Sequence, residues 1–187
     1  MNCKAAGIFS MICAPFLFID FLTATPNVNT SQTGVFDLIY MTGWMCSLIA
    51  LQQRGAFGTT KAARIILLIQ AIFLTGAQVW NIWVIIRPSS EGTLFRIFDS
   101  CWPLSNIWML ATGIVAIKAR RLQGWQRFVP LAAGLWFPFS MVLFLAKLPF
   151  WLSGLYSTIA YILLGLVVYK SGHTAQETVS PNAGIAY

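Results

Sequence analysis

Three aspartates, Asp20, Asp37 and Asp99, sit at or inside the ends of very apolar segments, in a chain with only five acidic residues. A carboxylate beside hydrocarbon is costly, so such a group is paired, faces water, or is functional. The chemistry open to it is the handling of positive charge: holding a cation, exchanging a proton, or orienting a polar ligand. Neutral donors and acceptors fall at similar depth. Gln78 and Asn81 are neighbours at i,i+3, and Gln70 and Asn81 return to nearly one helical face. Asp99 and Asn106, seven residues apart, share a face of the same helix. Tyr40, Trp44, Trp80 and Trp83 add aromatic surface. The candidate ligand-binding set is therefore Asp20, Asp37, Gln78, Asn81, Asp99 and Asn106.

The elements that must position these residues are membrane helices. The chain is 58% hydrophobic and 9% charged, with mean hydropathy +0.73, whereas soluble domains carry roughly 25% charged residues. A span takes about 20 apolar residues, so six of them consume most of the 187 residues. The expected fold is all-α: one six-helix transmembrane domain over 1–170 and a polar cytoplasmic tail over 171–187. The spans are expected at 5–24, 35–51, 63–86 and 97–117, with two more inside the apolar run 128–169. That run is too long for one crossing, and Lys147 with Pro149 marks its turn. Pro138, inside the fifth span, predicts a kink.

Orientation follows from the basic residues. Lys4, Arg54, Lys61, Arg64, Lys118, Arg120, Arg121, Arg127 and Lys170 fall on the amino-terminal side; Arg87, Arg96 and Lys147 fall on the other. The positive-inside rule then places both termini in the cytoplasm, in a plasma membrane of bacterial inner-membrane type. The net charge of +7 is accounted for by these loops, so nucleic acid is not an expected partner. The expected partners are the lipid bilayer and a small-molecule or ion ligand, with self-association left open. The start of the chain resembles a signal peptide, but Thr23-Ala24-Thr25-Pro26 is a poor cleavage site, so the first span is read as uncleaved. Trp80, Trp83, Trp102 and Trp151 are expected at the outer interface and Trp125 at the inner one.

Each candidate has a plainer reading. Asp37 and Asp99 lie near amino-terminal helix ends, where an aspartate caps free N–H groups and suits the helix dipole. Asp20 lies near a carboxyl end, where the dipole disfavours it, and so needs a partner such as Lys147 or Arg87. The amides could be helix-to-helix glue. Lys147 reads as an interfacial anchor, and the four cysteines read as small core residues. Phe36-Asp37 and Phe98-Asp99 form a weak echo that would make any repeat a parallel one.

The single histidine, His173, lies in the tail. A haem held by histidines within the bundle, a histidine-bound catalytic zinc and a Ser-His-Asp triad are thereby excluded, and there is no Walker phosphate loop. No cofactor is expected. The leading functional expectation is a membrane protein that binds or transports a small polar or cationic solute, or a proton, through an outer-facing polar cavity. The alternatives are a non-catalytic scaffold or subunit whose polar groups only pack helices, and an intramembrane enzyme using carboxylates.

Overall fold

An apolar segment in lipid must satisfy its backbone internally, and helices do so within one segment. The structure, a computed structural model, describes residues 2–24 and 28–177, and all regular structure among them is helical. In chain order the helices are α1 (Cys3–Cys13), α2 (Phe16–Thr23), α3 (Ser31–Gln53), α4 (Lys61–Ile86), α5 (Thr93–Ala119), α6 (Val129–Gly134), α7 (Trp136–Leu145) and α8 (Trp151–Glu177). A short 3-10 turn, Gly124–Phe128, leads into α6. Five segments are long and apolar enough to cross a membrane, counting α1 with α2 as one, and the bent pair α6–α7 makes a sixth if taken as one span. Large apolar side chains cover the outside, among them Ile86 at 70% and Leu145 at 79% exposed. Such a surface suits lipid and not water.

The helix starts are set by capping rather than by hydropathy. The Thr30 hydroxyl accepts the Thr33 N–H at 3.1 Å, and the Thr60 hydroxyl accepts the Ala63 N–H at 3.2 Å. Each replaces a bond that a helix terminus otherwise lacks. Consequently α3 begins four residues before the apolar run at Val35. Likewise α5 begins at Thr93, well before Ile97, after Gly92 at φ +139°.

Two spans are broken. The first was expected to be continuous, but it divides at Ala14 and Pro15. Pro15 has no N–H and its ring clashes with the carbonyl four residues back. The expected kink in the fifth span is present as a 47° bend between α6 and α7. It falls at Leu135, because Pro138 denies a hydrogen bond to the Gly134 carbonyl. The run 128–169 does form separate helices, and the turn lies where Lys147 and Pro149 put it, with Lys147 at φ +54°. The helix α8 continues through Glu177, and its part long and apolar enough to cross a membrane is Trp151–Ser171. The rest of the tail expectation, 178–187, lies outside the described residues.

The helices close into a ring. Each packs on its chain neighbours, α8 packs back on α1 and α2, and α3 meets α8 across the middle. Glycines permit the closest approaches. A Cβ on Gly7 would stand 2.6 Å from the Gly165 carbonyl oxygen of α8, and one on Gly113 would overlap Leu131 at the start of α6. The core is one continuous cluster that includes Tyr40, Trp44, Met109, Trp136 and Tyr161.

Candidate functional site

The interior stripe of α3 runs Asp37, Tyr40, Met41, Trp44, Leu48 and Leu51, spaced by three and four apart from the adjacent Tyr40 and Met41, and every member is buried. Asp37 stands in that stripe well past the helix start. It does not cap α3, because Thr30 does. Its side chain is 6% exposed, and its Oδ1 is buried without a hydrogen-bond partner. Asp20, 4% exposed, lies in the last turn of α2. The two carboxyl groups are close enough for the charge of Asp20 to act on Asp37, and Thr33 supplies the hydrogen-bonding side chain at Asp20. The seam between α2 and α3 is tied by Gln32 Nε2 donating to Thr23 Oγ1 at 3.2 Å and by the Phe16–Phe36 rings at 5.7 Å.

No lysine or arginine among the described residues acts on either carboxyl group. The expected pairing of Asp20 with Lys147 or Arg87 is not formed, and the charged neighbour of Asp37 is Asp20. Lys147 and Arg87 are exposed at the surface.

Gln78 and Asn81 join the neighbouring seam between α3 and α4. Gln78 Nε2 donates to Thr42 Oγ1 at 2.9 Å and to the Leu38 carbonyl at 3.4 Å. Asn81 Nδ2 donates to Gln78 Oε1 at 2.9 Å and to Met41 Sδ at 3.5 Å. The Asn81 carbonyl lies against Gly34, 2.8 Å from where a Cβ would be. Asn81 thus touches α3 at Gly34 and Met41, the turns on either side of Asp37. Its own Oδ1 is fully buried and has no partner. Asp37 and Asn81 therefore present two orphaned acceptors along one stretch of α3. Buried acceptors of this kind are costly unless a proton, water or cation fills them.

The remaining candidates part company. Asn106 is buried on α5, where its Nδ2 donates to the Trp102 carbonyl at 2.9 Å and its Oδ1 has no partner. No contact joins it to the carboxylate pair. Asp99 is exposed on the outside of α5 and does not cap it, being in the second turn. Among the described residues, no contact joins it to Asp20, Asp37, Gln78 or Asn81. The echo between Phe36-Asp37 and Phe98-Asp99 therefore carries no common structure: one aspartate is interior, the other outward. Trp102 packs on Trp136 with ring centroids 5.1 Å apart.

Sequence reasoning missed the face that α8 contributes. Ser153, Ser157 and Tyr161 are spaced by four and are all buried. The Tyr40 and Ser157 hydroxyls are 2.9 Å apart, and the Tyr161 ring stands 5.1 Å from Tyr40 and 5.2 Å from Trp44. Ser140 pairs with Ser153, whose carbonyl accepts Trp136 Nε1–H at 2.8 Å. The spacing of four was the available signal. The four cysteines are free, and the described residues hold no group of three metal-binding side chains. Comparison with family models, with curated proteins and with solved structures gives no match for the chain.

Proposed function

We propose that this chain is a six-span membrane protein with both ends cytoplasmic, and that Asp20 and Asp37 bind a proton or a small cation reaching them from the opposite side. One observation carries the reading: Asp20 and Asp37 are both buried on the packed faces of α2 and α3, and no lysine or arginine among the described residues partners either. Two such groups in a low-dielectric interior do not both remain bare anions, so a shared proton or a bound cation must supply the missing positive charge. Asn81, with its unpartnered Oδ1 on the helix packed against α3, would orient that ligand. The topology is supported by the convergence of Arg54, Arg121 and Lys170 on one pocket, since these residues follow α3, follow α5 and lie in α8. Asp99 and Asn106 are left out of the proposed site.

Titration of the purified protein with Na+, K+ and methylammonium at several pH values, read by heat and by proton release, tests the proposal. Wild type should release protons on binding one of these cations. Asp37→Asn should lose at least tenfold in affinity while remaining monodisperse, and Asp20→Asn should do the same. Unchanged binding and proton release in both variants would defeat the reading. The scaffold alternative keeps one specific support, the hydrogen bonds that the Gln70 and Gln78 amides donate to neighbouring helices. It would be favoured by variants that lose only stability.

A further inference from the structure

The end of the bundle that carries the basic loops holds two adjoining cavities. One is a groove of about 590 Å3 between the start of α4 and the end of α5. Its walls include Ala63, Ile66, Ile114 and Val115, and Lys118 and Arg121 stand at its rim. It extends from Lys118 back to Ala111, and seven helical residues rise about 10 Å. The groove therefore descends from the rim to hydrocarbon depth. The other cavity, about 330 Å3, gathers Arg54, Arg121 and Lys170 with Gln123 and Gln126. Arg121 lines both. Arg54 is held in place by its Nε–H, which donates to Cys3 Sγ at 3.1 Å, and Lys170 lies 5.7 Å over the Trp125 ring. Neither cavity has an acidic residue in its described lining.

We propose that the two cavities together bind one anionic phospholipid from the leaflet facing the basic loops. An acyl chain would lie in the groove and the headgroup phosphate among Arg54, Arg121 and Lys170. A cationic pocket alone would suit any phosphate, and an apolar groove alone any lipid. Their junction at Arg121 calls for a molecule with an anionic head and an apolar chain. Guanidinium groups match phosphate through paired N–H donors, and glutamine amides add neutral ones. Charge bias places basic residues in loops; it does not require three separate segments to converge on one pocket. The site lies at the opposite end of the bundle from the carboxylate pair and does not depend on it.

The test uses the full chain in neutral detergent, titrated with phosphatidylglycerol, phosphatidylcholine or inorganic phosphate, with bound lipid counted by native mass spectrometry. Phosphatidylglycerol should fill one site, with phosphatidylcholine at least fivefold weaker. Arg121→Gln should weaken phosphatidylglycerol about fivefold, as expected for one basic residue at an anionic lipid surface. Ala62→Trp, an exposed groove position, should weaken the lipid and leave inorganic phosphate unaffected. Arg87→Gln, an equal charge loss at an exposed site on the other end, should change nothing. The proposal is overturned if the two lipids bind alike, if Arg87→Gln matches Arg121→Gln, or if Ala62→Trp leaves lipid binding intact. Displacement of the lipid by inorganic phosphate at similar concentration would also overturn it, pointing to a free anion as the occupant.

Discussion

Gln70 and Asp37 are polar residues on adjacent helices, 1% and 6% exposed, yet their surroundings differ in kind. Gln70 Nε2 donates to the Ser105 carbonyl at 3.1 Å, and its Oε1 accepts from the Thr112 hydroxyl at 3.4 Å. Both ends of the amide are used, and the α4–α5 seam closes around it. Asp37 has an acid as its charged neighbour and one oxygen with no partner. A buried polar side chain that finds donors and acceptors on the next helix is explained by packing. One whose charged neighbour is a second acid is not, and that contrast sets the proposed site apart from helix glue.

The largest expected effect tests the closed seam. A Cβ on Gly76 would stand 2.6 Å from Cys101 Sγ, so Gly76→Val should cost about 2 kcal/mol. Reversible unfolding in mixed micelles measures it, and a wild-type midpoint would show that the seam is looser than described. Next comes the direct comparison. Gln70→Leu should lose about 1 kcal/mol, because it ends the hydrogen bonds that Gln70 makes to α5. Asp37→Leu should lose nothing and could gain stability, since it removes an unpaired buried acid. Equal losses in the two variants would erase the distinction between the regions. The smallest effect belongs to Asp99→Asn. On an exposed surface it should stay within about 0.5 kcal/mol of wild type and leave proton release unchanged. A drop in proton release would bring Asp99 back into the site.

Hydropathy located every long helix, and Lys147 with Pro149 located the turn between α7 and α8. The sequence did not indicate which way each helix faces. Asp37 and Asp99 follow phenylalanine in similar apolar settings, yet one is interior and the other exposed. Where a helix is apolar on every side, its pattern does not select the buried face, and contacts from other helices decide it. The capping assignment failed for a related reason. Helix starts were placed where the apolar runs begin, whereas Thr30 and Gly92 begin α3 and α5 four residues earlier. The first span breaks at Pro15, but membrane helices tolerate proline when neighbours satisfy the freed groups, so a proline in the sequence does not by itself fix a break.

The contact between Gly7 and Gly165 has a consequence for biogenesis. These two glycines belong to the first and last helices, nearly the full chain apart, and each needs the other's backbone at close range. As the chain emerges, α1 enters the membrane long before its counterpart has been synthesised. Its small-residue face must meanwhile rest against lipid or the insertion machinery. Ser157, the partner of Tyr40 beside Asp37, arrives on the same late helix. The bundle is therefore closed by α8, and a chain stopped before Trp151 would lack the helix that packs on α1, α2 and α3 together.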